Sequence, residues 1–460
     1  MTTVSRIADS PMYAHLWGTE ELRSHFSEEG RLEAWLEILA ALAEAQAAND
    51  VIPARAAAQI RSKAKVELLD LEYIAGETRR TSHSTLGLIR ALSRILPPDA
   101  AQFVYYGATV QDVTDTWMAL TMKRMGGIAW QQLRAIEQSI LDLAVKHRTT
   151  PMAGRTHGQI GSIITFGFKL ASWADEIRRH IHRLADGRNR WLVGQLAGSV
   201  GTLGFLGQSG LAVRADFCNL LGLSDPGMSW TTSRDRIAEF SLVQAMIATT
   251  MARIGDEVYE LQRPELAEVG EAAATDAVGS ITMPHKQNPE GSEHLVTLGR
   301  MVRSQASLLL DSSVQSHERD GRGWKVEWVA FPEVCLLTAS SLRIADDLIR
   351  GLTVEADSMK RNLEHTRGYW ASESALVALS RDLGAHRAHQ LLYEALRQGR
   401  QGGIDFKEAV LSHPELSEHL DGGKIDQLLR EPDTASAPMM VDEVVARAHA
   451  ERNEEAEQWP

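Results

Sequence analysis

Apolar residues recur at helical spacing through six long stretches of this chain, and almost nowhere do they alternate. From Arg31 the stripe is Leu32, Trp35, Leu36, Leu39 and Leu42, and Asn49-Asp50 followed by Pro53 ends it. Recurrence at i, i+3 and i+4 gives a helix one apolar face. A second stretch covers 113–146. A third, 164–184, puts Phe166, Leu170, Trp173, Ile177, Ile181 and Leu184 on one side. A fourth starts near Arg234 and carries Phe240, Val243, Ile247, Ile254, Val258 and Leu261. A fifth starts near Glu293 with Leu295, Leu298, Val302, Ala306 and Leu309, and a sixth fills much of 329–350. No strand–helix–strand rhythm appears. Helices of roughly 20 to 30 residues exceed the globular mean and bury their stripes best side by side, so the expected fold is an all-α bundle of long antiparallel helices.

A chain of 460 residues suggests about three structural units. Pro97-Pro98 and Gly351 mark the breaks, giving an N-terminal helical unit over 1–100, a central bundle over 101–350 and a C-terminal helical unit over 351–460. The tail beyond 451, with Glu451, Glu454, Glu455 and Glu457, reads as solvated. Leu192 to Val213 carries no charge, but Gly194, Gly198, Gly201, Gly204, Gly207 and Gly210 make it a turn region inside a soluble protein rather than a membrane span. A net charge of −13 argues against nucleic acid or an anionic membrane as partner, and leaves room for a small anion in a local basic pocket. The two cysteines, Cys218 and Cys335, fit a reducing cytoplasm. The N-terminus has no apolar run with a cleavage site, so no signal peptide is expected.

Three segments could carry chemistry. Gly279-Ser280-Ile281-Thr282-Met283-Pro284-His285-Lys286-Gln287-Asn288-Pro289 is a polar loop directly before the fifth helix. A lysine and a helix N-terminus both attract a carboxylate. A plain surface loop would read the same way. Gly154-Arg155-Thr156-His157-Gly158-Gln159 holds a histidine able to move a proton near neutral pH, and equally a helix-capping histidine. Gly107-Ala108-Thr109-Val110-Gln111-Asp112 enters the second helix, where Thr109 and free N–H groups could hold an anion, or simply start the helix well. Neither His180 with His182 nor His386 with His389 has a third ligand at a telling spacing, so no metal is expected. No dinucleotide fingerprint or phosphate loop is present, and no cofactor is expected.

Together the three segments resemble those of the fumarase/aspartase superfamily, whose signature loop has the form G-S-S-x-M-P-x-K-x-N-P. The likeness runs from about Asp9 to about 450. It implies a three-domain, all-α fold whose long helices form a homotetrameric bundle, with each active site built from three subunits. It also implies anti β-elimination from a substituted succinate with release of fumarate. By position, Ser280 would remove the Cβ proton, while Lys286 and Asn288 would hold the carboxylate on which charge develops. His157 would assist the leaving group, oriented by Glu293. Thr109 would bind a carboxylate, with Gln111, Thr156, Gln159, His83 and Ser233 as further substrate contacts.

Two branches are mixed. His157 in GRTHGQ, Thr81-Ser82-His83 and His317-Glu318-Arg319-Asp320 resemble the adenylosuccinate lyases. Trp324, Glu327-Trp328 and Phe331-Pro332-Glu333 resemble the 3-carboxy-cis,cis-muconate cycloisomerases. Trp328 stands where the adenylosuccinate lyases carry a phosphate-binding arginine, and Ser233 where they carry a glutamine. Ile281 and Val110 replace serines, and Tyr105 replaces a histidine. The expectation is a cytoplasmic C–N lyase on a small dicarboxylate, releasing an amine or nitrite as nitrosuccinate lyase does. Adenylosuccinate lyase, the cycloisomerase and a non-catalytic structural homologue are the alternatives.

Overall fold

The computed structural model describes residues 6–272, 280–430, 434 and 436–459. Its six long helices are α1 (Glu28–Ala48), α2 (Val110–Lys146), α3 (Phe166–Trp191), α4 (Asp235–Gln262), α5 (Glu290–Asp311) and α6 (Gly321–Arg350). Each expected stripe lies on one of them. α6 starts earlier than expected, because the Asp320 carboxylate caps it by accepting the Arg322 N–H, and it runs through Pro332.

α2 to α6 form the bundle, alternating in direction from one helix to the next. α4 and α5 approach closely because glycine faces the seam. A Cβ on Gly299 would stand 2.7 Å from the Ala252 Cβ, and one on Gly255 would stand 3.0 Å from the Leu295 Cβ. At one end of the bundle a single cation fixes the register. The Arg234 guanidinium, fully buried, donates to Asp115 on α2 at 2.8 and 3.0 Å and to Glu327 on α6 at 2.8 Å. Burial works against the charge on Arg234, but the two carboxylates outweigh it and raise its pKa.

The chain departs from an all-helical reading after α2. Strands β1 (Pro151–Thr156) and β2 (Gln159–Thr165) pair antiparallel as a hairpin. Its tip is His157-Gly158, both at positive φ (53° and 73°), the signature of the tight turn that suits strand twist. The Thr165 hydroxyl then caps α3 by accepting the Phe168 N–H. Val269–Gly270 and Thr353–Val354 form a second short pair, at the same end of the bundle.

The hydrophobic core of the N-terminal region is continuous with that of the bundle. A second, smaller core lies in 363–425 and takes in Ala153 and Ile163 of the hairpin. In the glycine-rich region 192–198 is a buried irregular stretch in which Val193 bridges Ser224, bends and turns follow at 199–206 and are mostly exposed, and Gly210 begins a helix to Leu220. The acidic tail is not simply solvated. Helix α7 (Ala437–Glu454) returns to the bundle, where Glu455 pairs with Arg134 and Arg178 and Glu451 meets His182. Trp459 lies over Gly126, where a Cβ would collide with its ring. Among the described residues two helices, α4 and α6, are long and apolar enough to cross a membrane, yet 72% and 67% of their apolar windows are buried inside the protein.

Removing the buried guanidinium leaves two carboxylates facing each other in the core. Arg234→Ala should therefore lower unfolding stability by about 3–5 kcal/mol in urea titrations, since it strands buried charge. A loss of under about 1 kcal/mol would contradict the role given to Arg234.

Candidate active site

The expected site residues fall at two ends of the bundle. At the first end, Thr109 precedes α2 and is almost wholly buried. Its backbone N–H donates to the Asp112 carboxylate at 2.8 Å, and its hydroxyl neighbours the Tyr105 hydroxyl. Burial, and then the Asp112 charge, push the Tyr105 pKa up, so the phenol stays protonated. Gln111 is fully buried and its amide donates to the Thr231 carbonyl at 3.0 Å, which gives it a structural task. Ser233 is exposed on the turn before Arg234. His83 is exposed as well, and its Nδ1 accepts the Leu86 N–H at 3.2 Å, capping the helix Leu86–Arg94.

At the other end stand the hairpin and the signature loop. Thr156, His157 and Gln159 are exposed at the hairpin tip. The helix-cap reading of His157 is thus overturned: it sits on a strand turn, and Thr165 does the capping. Of the loop, Gly279 lies outside the described residues. The Ser280 hydroxyl accepts the Met283 N–H at 3.0 Å. Lys286 is exposed and its ammonium carries no ion pair among the described residues. Asn288 follows at the start of α5. The free N–H groups expected at that helix N-terminus are taken. Glu271 accepts from Gly291 at 3.1 Å and from Ser292 at 2.8 Å. Lys286 rather than the helix end is left to meet an anion. The Glu293 side chain is exposed and has no hydrogen bond to His157 within the chain.

α2 has 37 residues, so at about 1.5 Å each it spans roughly 55 Å. Thr109 stands at its start and His157 beyond its end. One chain cannot bring them to one substrate.

Residues that the sequence reading passed over hold these pieces in place. Glu268, fully buried, accepts two bonds from Arg155 at 2.9 and 2.7 Å and one from Asn362 at 2.8 Å. It ties the hairpin to the bundle and to the C-terminal region. Arg319 donates to the Ser199 carbonyl at 3.1 Å and lies near Tyr105 and Asp115, a cation at the Thr109 end. The run His317-Glu318-Arg319-Asp320 was the available signal for it. Among the described residues, no group of three His, Cys, Asp or Glu side chains is placed to hold a metal.

The sequence profile of a family described as Lyase matches residues 18–304. An N-acetyl-S-(2-succino)cysteine lyase of Dickeya dadantii is 36% identical over 445 residues, covering 96% of this chain and 98% of that protein. An adenylosuccinate lyase of Methanocaldococcus jannaschii is 34% identical, covering 93% of this chain and 94% of its own. The chain belongs to the fumarase/aspartase superfamily of lyases. A solved 3-carboxy-cis,cis-muconate lactonizing enzyme from Pseudomonas putida superposes with a TM-score of 0.89 at 30% identity, over 96% of this chain and 99% of that one. The superfamily assignment extends the likeness beyond the three motifs to the full helical frame.

The Glu268 anchor can be tested directly. Glu268→Ala should free the hairpin, so trypsin should cut after Arg155 faster than in the wild type while helix content stays unchanged. Equal cleavage rates would show that the hairpin is held by other contacts.

Proposed function

We propose that this lyase catalyses anti β-elimination from a C2-substituted succinate and releases fumarate. The observation that carries the reading is the loop in which Ser280 and Asn288, both half-buried, flank an exposed Lys286 whose ammonium has no ion pair among the described residues. Ser280 takes the Cβ proton. The electron pair left on Cβ forms the new double bond, and the bond from Cα to the substituent breaks. Lys286 and Asn288 stabilise the charge that builds on the neighbouring carboxylate, where prepositioned donors have most effect. His157 gives a proton to a departing group that needs one, and Thr109 holds the second carboxylate.

The leaving group we favour is a thiol, so that the substrate is an S-succinyl thioether. Support comes from the Dickeya relative, whose name states such a substrate and which matches almost the whole chain. Apolar side chains at three departures fit it too: Ile281 beside Ser280, Val110 beside Thr109, and Trp328 on α6. A nitrogen leaving group, an amine or nitrite, is the second reading, and His157 and the adenylosuccinate lyase relative favour the amine. An amine must be protonated as it leaves, whereas a thiol with a pKa of about 8.5 can depart as thiolate.

The assembly we propose is a homotetramer, which brings Thr109 of one copy to the hairpin and loop of others. Apolar side chains exposed at the Thr109 end of the bundle, Leu242, Met246, Leu308, Leu310, Trp328 and Val329, offer faces for such copies. Both cysteines are buried free thiols, in keeping with the cytoplasmic setting we propose.

Ultraviolet absorbance of fumarate tests the reading. The purified protein is offered N-acetyl-S-(2-succino)cysteine, nitrosuccinate, adenylosuccinate, argininosuccinate, aspartate and carboxymuconate. Fumarate from the thioether, lowered about 10²- to 10⁴-fold in Ser280→Ala, is the expected result. His157→Ala should cost far less with the thioether than with an amine substrate. Fumarate from nitrogen compounds alone would select the second reading. Turnover of carboxymuconate alone, without fumarate, would overturn the elimination.

A further inference from the structure

The Thr109 end contains a carboxylate that the proposed chemistry does not use. Asp112 is buried in the first turn of α2, and its carboxylate accepts three backbone N–H groups. Its Oδ2 accepts the N–H of Thr109 at 2.8 Å and that of Gly198 at 3.1 Å, while Oδ1 accepts the N–H of Ala197 at 2.8 Å. Two elements distant in sequence, the helix start and the glycine-rich turn, therefore close on one side chain. Gly198 needs the positive φ of 72° that this closure imposes. The next residue of the turn, Ser199, offers its carbonyl to Arg319. The carboxylate thus stands behind both Thr109 and Arg319 without facing open solvent.

We propose that Asp112 is the positioning residue of this corner: its ionised carboxylate locks the glycine-rich turn onto the α2 start and so sets the Thr109 subsite for a substrate carboxylate. The inference rests on the reading of Thr109 as that subsite. The clamp is strongest as an anion, because both oxygens already accept backbone N–H groups, two on Oδ2 and one on Oδ1, and a proton on either weakens an acceptor. Burial pushes the Asp112 pKa up to about 7 against the pull of its three backbone donors, and Asp115 on the same helix adds to the rise. The other charged or titratable groups around the corner are Tyr105 on the preceding turn, Arg319 on the segment before α6, and Arg234 and Glu327, which face Asp115. Acidification through neutrality protonates Asp112, releases the turn and weakens carboxylate binding.

Fumarate binding by calorimetry on the intact oligomer tests this, since fumarate stays fully dianionic in the relevant range. Affinity in the wild type should rise as pH is raised toward about 7 and then level off. In the acid limb it should change about tenfold per pH unit, as for one proton. His157→Ala should keep that dependence. Asp112→Asn, which replaces an acceptor with a donor facing an N–H, should bind weakly and without pH dependence. If Asp112→Asn does not fold, Thr109→Ala decides, because it should flatten the same limb while leaving the clamp in place. A flat wild-type profile, or Asp112→Asn binding as the wild type does, overturns the proposal. Absence of fumarate binding by the wild type at every pH overturns the Thr109 subsite itself.

Discussion

The end of the bundle that carries Thr109 depends on a buried cation. Arg234 at the start of α4 reaches Asp115 on α2 and Glu327 on α6, and none of the three is open to water. Apolar stripes alone let long helices slide by a turn at little cost. A guanidinium gripped from two sides does not, because a shift leaves charge unpaired in the core. With that register set, the α2 start, the glycine-rich turn and the segment carrying Arg319 meet at one end. The hairpin and the signature loop meet at the other.

The two ends serve different needs. Around Thr109 the backbone is buried and its donors are matched to Asp112, which suits a fixed carboxylate subsite. His157 is exposed, and Ser280 is half-buried beside Ile281, which is 93% exposed. An isoleucine left in water beside the proposed base is understandable if another surface covers it during the reaction. The hairpin, meanwhile, is anchored from below by Glu268 and by the C-terminal core through Ala153 and Ile163. Its tip is held out while its foot is fixed. The span of α2 keeps the two ends apart within a chain, so chemistry that needs both must draw on more than one copy.

Much of the frame was legible in the sequence. Each stripe, such as Phe240-Val243-Ile247 on α4, belongs to a helix, because a periodic apolar face has one way to be buried. The hairpin was not legible. Its strands are short and glycine-bearing, and its turn is His157-Gly158, so no alternation stood out. The motifs named candidate site residues on the loop and at the α2 start, but not their placement. Nothing local to Arg234, Asp115 and Glu327 says that they meet, since their partners lie about a hundred positions away in sequence. The same holds for Glu268 with Arg155, and for Glu271, which takes the α5 N-terminus that the loop reading had left open to a substrate.

The most direct test of the account is to mix two inactive chains. Thr109→Asp keeps a good helix cap but sets a negative charge in the carboxylate subsite, and Ser280→Ala removes the base. Each alone should be inactive in fumarate release from the thioether. Co-assembled, they should regain activity, because some sites would combine an intact Thr109 from one chain with an intact Ser280 from another. Mixed oligomers no more active than either parent would contradict a site shared between chains, and with it the placement of the catalytic groups proposed for this protein.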